Sequence, residues 1–504
     1  MTPNDGGRWR SLPHRRALQK PLIAATPPTL PARLDRLHWS RFHTRVAAVL
    51  GIGWLLDAFE VNVVGSVIGV IAKIFHLSAS EASWVLSIWL IGIMVGALVF
   101  GYLADRFGRK RLFIATLLLY SVCTVVTALS TSYAFLMAFR FLTAIGVGAE
   151  YTAINSAISE LIPPRHRGKV NSLVMTFWPV GAMVAALVNL YFINALAADV
   201  GWRVGFAVGG VGALCIVWMR RSLPESPRWL LAKGREPEAA RVVAEIEAEA
   251  GQPGAGPARA ADGAAPRAGA QAPGPPLRRP AATPSFLAQV VELVRRYPGR
   301  TTLGCLLDLS EAFGYYGMFA FLPLVVLPAV HIPDTRIPWF FFLGNVGALA
   351  GGLAGALAID RLGRRVTVPM FYVLAAAGAV LMAPAAQTHR GSWVLTAFMA
   401  ANFFGTGAWT TAYPTFTEIF PTRLRSTGVG LSVAVGRIGA AASAPLLVWI
   451  GKGPLGITGG FAALALLWLV GAAAMLPWAV KGVEGAGTSL EGMMGAAEPT
   501  ATLP

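Results

Sequence analysis

Apolar runs of roughly 20 residues, each long enough to cross a bilayer as a helix, recur along the chain. They begin near Val46, Ser83, Leu112, Phe135, Val170 and Val204, and again near Thr302, Trp339, Val366, Val394, Gly428 and Phe461. The runs lack the strict polar–apolar alternation of barrel strands, and a backbone in hydrocarbon must satisfy its own hydrogen bonds. The pattern therefore predicts an all-α membrane protein with twelve transmembrane helices in two six-helix bundles. The polar stretches divide the chain into a tail (1–44), a first bundle (45–221), a connection (222–297), a second bundle (298–479) and a second tail (480–504). Within the connection, Glu236 to Ala250 reads as a short charged helix. The stretch from Gly251 to Pro284 is dominated by Ala, Gly, Pro and Arg, cannot bury a core, and is expected to be disordered.

The polar positions repeat as well. Gly53-Trp-Leu-Leu-Asp57-Ala-Phe-Glu60 returns as Gly304-Cys-Leu-Leu-Asp308-Leu-Ser-Glu311, and Asp105-Arg106-Phe-Gly108-Arg109-Lys110 returns as Asp360-Arg361-Leu-Gly363-Arg364-Arg365. Glu160-Leu-Ile-Pro163-Pro-Arg165-His-Arg167 returns as Glu418-Ile-Phe-Pro421-Thr-Arg423-Leu-Arg425. The offsets, 308 − 57 = 251, 360 − 105 = 255 and 418 − 160 = 258, make one half a shifted copy of the other, so the bundles are pseudo-symmetric. Two homologous membrane halves with acids at matching depth point to a transporter.

Composition agrees: 55% of the 504 residues are hydrophobic and 13% charged, with a mean hydropathy of +0.58, far from a soluble domain. The net charge of +17 raises nucleic acid as a partner, and the location of the cations argues against it. Nine Lys and Arg residues precede the first run, and the even-numbered connections hold Arg106, Arg109, Lys110, Arg111, Arg165, Arg167, Lys169, Arg361, Arg364, Arg365, Arg423 and Arg425. The odd-numbered connections offer about one each, as Lys73, Arg203, Arg336, Arg390 and Lys452. Positive charge stays on the cytoplasmic side, so both termini are expected there, in a multi-pass protein of the cell membrane. Cys123, Cys215 and Cys305 sit singly in apolar runs and read as small core residues. All seven histidines fall in tails or connections. No metal-ligand, phosphate-loop or nucleophile–base arrangement is visible, so neither an enzyme, a metal nor a cofactor is expected.

Gly101-Tyr-Leu-Ala-Asp105-Arg106-Phe-Gly108-Arg109-Lys110, between the second and third crossings, resembles the signature of the major facilitator superfamily, and Ala356 stands where its second copy would carry the first Gly. Arg140-Phe-Leu-Thr-Ala-Ile-Gly146-Val-Gly148-Ala-Glu150 in crossing four resembles another segment of that family. Pro224-Glu225-Ser226-Pro227-Arg228-Trp229-Leu230 and Glu418 to Arg425 resemble signatures shared by sugar porters and their organic-ion relatives. Sugar porters carry a glutamine pair and an Asn in crossing seven, whereas this chain has Asp308-Leu-Ser-Glu311-Ala-Phe-Gly-Tyr315-Tyr316-Gly317, which argues against a hexose. The Tyr-Tyr-Gly pattern resembles the niacin-permease branch. Asp57-Ala-Phe-Glu60 resembles the Asp-x-Phe-Asp of aromatic acid/proton symporters. The resemblance implies the major facilitator fold and a small carboxylate as substrate.

A charge at the centre of a bilayer helix costs about 2.5–3.5 kcal/mol on insertion scales, so such residues should face the bundle interior and have a purpose. At about 1.5 Å per residue, Asp57 lies about 18 Å, Glu60 about 22 Å and Arg140 about 20 Å from the inner face. They are level, and a carboxyl that is neutral when protonated and otherwise pairs with a permanent guanidinium can couple a proton to transport. The resemblance implies the same role for this acid and this Arg. Glu60 aligns better than Asp57 with the family's crossing-one acid, with Asp57 kept as the alternative; Glu150 reads as a second titrating acid or as a partner of the inner gate. A static ion pair that fixes packing would use the same residues.

Arg437, near the midplane of crossing eleven, can receive a substrate carboxylate or pair with Asp308 or Glu311. Phe59, Trp178, Tyr315, Tyr316, Asn402 and Trp409 are candidates for the cavity wall, where aromatic faces suit a planar substrate. Gly101, Asp105, Arg106, Gly108 and Arg109, with Asp360, Arg361, Gly363 and Arg364, form clusters that would brace a cytoplasmic gate. Glu160, Arg167, Glu418 and Arg425 join them; simple topological anchoring can hold at the same time. The expected function is proton-coupled symport of a small organic anion by a monomer through alternating access. A sugar or organic-cation carrier, or a transporter-like nutrient receptor, stands as the alternative.

Overall fold

A computed structural model describes residues 30–107, 109–221, 223–251, 286–421 and 424–481, and among these all regular structure is helical. The first six crossings are Arg41–Ile74, Ala79–Phe107, Arg109–Thr127, Tyr133–Leu161, Pro164–Ala195 and Ala198–Arg220. Crossing seven is Pro298–Phe321, continued by a π turn at Leu322–Val326 and by Leu327–Ala329; the rest are Ile337–Leu362, Arg364–Gln387, Gly391–Ile419, Arg425–Lys452 and Gly456–Lys481. Eleven of these helices are long and apolar enough to span a membrane. Crossing ten is as long but more polar, with Asn402, Thr406, Thr410, Thr411 and Thr415 along it.

Local chemistry sets several of the ends. Ser132 accepts a hydrogen bond from the Phe135 amide at the start of crossing four, and Pro164 opens crossing five at a position where no N–H is needed. Pro323 removes a donor from crossing seven, and the π turn around it absorbs the gap without ending the helix. Gly363 joins crossings eight and nine at φ 76°, a left-handed turn that side chains avoid, which explains the glycine in the duplicated motif. Its copy, Gly108, lies outside the described residues. Crossing one starts at Arg41, so His43 stands buried in its first turn rather than in the tail.

The repeat in the sequence is also a repeat of contact. A Cβ at Gly92 would lie 2.8 Å from the Phe141 carbonyl, and one at Gly96 would collide with that of Ile145. In the second half a Cβ at Gly347 would lie 2.5 Å from the Met399 carbonyl, and one at Gly351 would collide with that of Phe403. The offsets, 347 − 92 = 255, 351 − 96 = 255, 399 − 141 = 258 and 403 − 145 = 258, equal those of the polar motifs. Crossings two and four, and crossings eight and ten, thus meet backbone to backbone along small-residue seams. Gly351→Ala is expected to cost about 1–3 kcal/mol by overpacking. Gly430→Ala, with nothing within 4 Å of the added carbon, should be neutral or slightly stabilising, since helix glycine itself costs about 0.5–1 kcal/mol. Thermal unfolding of the two variants in detergent checks the contrast; equal midpoints would show that the seam yields.

Between the halves, crossing two packs along eleven and five along eight. At the end opposite Leu30 and Lys481, the Lys73 ammonium meets the Asp334 carboxylate at 2.6 Å and Gly65 faces the Phe319 ring. The Ser87 hydroxyl donates to the Ala441 carbonyl at 2.6 Å. At the near end, Leu30–Arg36 and Glu236–Glu249 dock on the first bundle. Arg33 grips Glu247 through two hydrogen bonds of 2.8 and 2.5 Å. Those bonds push the Arg33 guanidinium above its already high value, so the brace keeps its positive charge throughout the physiological range. Asp35 accepts from Arg167 at 3.1 Å and from Arg228 at 3.0 Å. The helix expected at Glu236 to Ala250 is present as Glu236–Glu249. Residues 1–29, nearly all of the Ala/Gly/Pro-rich stretch and nearly all of the second tail lie outside the described residues.

Candidate functional site

A cavity of about 630 Å³ lies between the halves. Helical spacing builds its wall: Asp308, Glu311, Tyr315 and Tyr316 recur at i, i+3, i+7 and i+8 on crossing seven, and Thr406, Trp409 and Tyr413 at i, i+3 and i+7 on crossing ten. Crossing five supplies Met175, Trp178 and Pro179; crossing eight supplies Asn345 and Ala348. Trp54 from crossing one and Arg437 from crossing eleven complete it. The Arg437 guanidinium donates to the Tyr316 hydroxyl at 3.1 Å and stands 5.5 Å from that ring's centroid. The Trp178 indole donates to the Tyr315 hydroxyl at 3.0 Å, joining the two halves across the cavity. Gly436 leaves room for Asp308, since a Cβ there would collide with its carboxylate.

Two expected wall residues lie elsewhere. Phe59 is buried with its ring against Gly209 of crossing six; it is five residues beyond Trp54, about 140° further around the helix at 3.6 residues per turn. Asn402 shares the stripe of Thr406 but sits one turn, about 6 Å, further along crossing ten than the cavity reaches. Trp54, Met175, Pro179, Asn345, Ala348, Thr406 and Tyr413 were not singled out by sequence. Met175, Thr406 and Tyr413 could have been, as they stand three or four residues from Trp178 and Trp409 on the same face.

The crossing-one acids do not reach this cavity. Glu60 pairs with Arg140 of crossing four, both buried, with the Arg140 guanidinium 5.8 Å from the Trp89 ring and 5.4 Å from that of Phe206. Glu150 pairs with Arg220 of crossing six, again fully buried, with the Phe113 ring 3.7 Å from the guanidinium. The sequence offers Arg220 only as the basic end of its run. Asp57 is buried, and among the described residues neither of its carboxylate oxygens has a hydrogen-bond partner.

The difference between the halves follows from two positions. The crossing-one acids are not among the residues that line the cavity, whereas Trp54 and Trp178, packed 5.5 Å apart, both line it. Their counterparts, at 305 − 54 = 251 and 436 − 178 = 258, are Cys305 and Gly436. With those small residues, Asp308 and Glu311 meet the cavity.

The motif residues collect at the near end. Arg167 donates to the Ile162 carbonyl at 2.8 Å and to Asp35. Glu160 lines a second cavity of about 450 Å³ with Lys110, Arg220 and Glu225. Arg361 is exposed, and Arg364 and Arg425 are half-buried. The side chains of Asp105, Arg106, Arg109, Asp360 and Glu418 lie outside those described, as does Gly101 beyond its place in crossing two. Among the described residues no three His, Cys, Asp or Glu side chains converge as a metal site.

The family model of the Major Facilitator Superfamily matches residues 50–444, with a further match over 305–497. A niacin transporter of Acinetobacter baylyi is 30% identical over 419 residues, 83% of this chain and 89% of that protein. A 3-(3-hydroxy-phenyl)propionate transporter of Escherichia coli is 29% identical over 410 residues, 80% and 86% of the respective lengths. Among solved structures, the xylose transporter of Escherichia coli in a partially occluded inward-open conformation superposes with a TM-score of 0.68 at 19% identity, covering 89% of this chain and all of that one.

Proposed function

The chain belongs to the Major Facilitator Superfamily, and from that membership we propose that it carries a small aromatic or heterocyclic carboxylate across the cell membrane together with a proton. It is a multi-pass membrane transporter and not an enzyme. The observation that carries the substrate reading is Arg437, a permanent cation facing a cavity walled by Trp54, Trp178, Tyr315, Tyr316, Trp409 and Tyr413. A guanidinium offers a carboxylate two parallel donors, and the rings offer faces to a planar body. Two relatives named for the transport of aromatic acids support it.

Coupling is assigned to the buried acids Asp57, Glu60 and Glu150 with Arg140 as a fixed cation. The near end is the cytoplasmic side, carrying both termini, and its Arg167, Glu160 and Gly363 motifs brace the gate there. Lys73 and Asp334 close the opposite face. Both walls of the cavity come from one chain, so a monomer suffices. A second reading is favoured by one observation: Asp308 and Glu311 share the cavity with Arg437, which suits an organic cation.

Uptake of labelled niacin into proteoliposomes, competed by unlabelled aromatic carboxylates, nicotinamide, sugars and quaternary amines, tests both. Competition by carboxylates alone, with accumulation raised by an acid exterior, is the expected result. Competition by quaternary amines alone would replace the anion reading, and uptake indifferent to the pH gradient would remove the proton.

A further inference from the structure

We propose that the first bundle holds one proton on a cluster formed by Asp57, Glu150 and Arg220, separate from the Glu60–Arg140 pair, and that this cluster is where the transporter exchanges its proton with the cytoplasm. Gly53 lies one turn before Asp57 on the same helical face. A Cβ there would run into the Arg220 guanidinium and lie 3.1 Å from the Glu150 carboxylate. The glycine thus brings the Glu150–Arg220 pair beneath Asp57. The charged and titratable groups facing Asp57 are Glu60 on its own helix, Tyr120 of crossing three, Glu150 of crossing four and Arg220 of crossing six. Crossing five carries no Asp, Glu, Lys, Arg or His beyond Lys169.

Counting charge decides where the proton sits. Asp57, Glu60 and Glu150 supply three carboxylates, and Arg140 and Arg220 supply two cations, all buried; 3 − 2 leaves one negative charge uncompensated. An unpaired ionised carboxylate in the interior costs several kcal/mol, and a carboxyl relieves it by taking a proton. A proton on Glu60 would strand Arg140 as well as Asp57. A proton shared by Asp57 and Glu150 strands nothing, because either carboxylate can serve as the partner of Arg220. Arg220 also forms part of the wall of the near-end cavity beside Lys110, Glu160 and Glu225. A single guanidinium therefore separates the cluster from the space that leads to the near end.

The role in transport rests on the proton-coupled reading; the proton itself can be read without any substrate. Infrared spectra of the full-length protein in lipid at neutral pH should contain the carbonyl stretch of a protonated buried carboxyl, identified by its shift in heavy water. Asp57→Asn should remove that band, since Glu150 and Arg220 then balance alone. Glu150→Gln should also remove it, because Asp57 then takes Arg220, whereas Arg220→Lys, which keeps the charge, should retain it. A band of unchanged intensity in both Asp57→Asn and Glu150→Gln overturns the proposal, whichever of the two folds better. Loss of the band beside uptake that ignores a pH gradient would sink the coupled reading and leave the site. A persisting band beside gradient-driven uptake would sink the site alone.

Discussion

Arg437→Ala is expected to weaken binding of aromatic carboxylates by roughly 10–150-fold, the equivalent of the 1.5–3 kcal/mol that a hydrogen bond to a charged group contributes. Binding of the matching amide should change little. The expectation rests on chemistry at one point of the wall. Arg437 is held by the Tyr316 hydroxyl and shares the cavity with Asp308, Glu311 and six aromatic rings, so its loss would remove the cation that the proposed carboxylate needs while leaving the ring contacts in place. Titration calorimetry or a thermal-shift series with both ligands reads the difference. Equal loss for acid and amide would mean that the residue props the wall, and that the acids on crossing seven are its true partners.

Glu60→Gln is expected to abolish accumulation driven by an acid exterior while retaining measurable counterflow of labelled substrate. The substitution leaves Arg140 buried without its partner, a situation that costs about 3–5 kcal/mol when nothing else compensates. Asp57, one turn away on the same helix, faces Glu150 and Arg220 and does not take the place of Glu60 at Arg140. Thermal stability should therefore fall, and the double variant Glu60→Gln/Arg140→Gln should recover stability without recovering coupling. Full accumulation by the single variant would remove Glu60 from the mechanism.

Much of this architecture is written in the pattern of side chains. Twelve apolar runs, their grouping in sixes and the duplicated motifs follow from transfer energetics and from repetition, both of which survive without any knowledge of contacts. The depth estimate that put Arg140 level with Glu60 needed only the helical rise, and the structure pairs them. Orientation around the helix axis was harder to read. In crossings apolar nearly all round, no polar stripe declares which face looks inward, so the sequence offers Phe59 for the wall and does not single out Trp54. Arg220 stayed hidden for another reason: a cation at the end of a run reads as an interface anchor, and only its distant partner on crossing four shows it to be buried. Asp35 escaped because its partners, Arg167 and Arg228, lie far along the chain.

The makeup of the cavity wall has a consequence for how the two ions can influence each other. Asp57, Glu60 and Glu150 are not among the residues that line the cavity, so in the proposed symport an anion on Arg437 would share no ligand with a proton on those acids. Communication between the two would then be mechanical, passed through the Trp178–Tyr315 contact. Ordered loading would then be a property of the lever and not of mutual attraction.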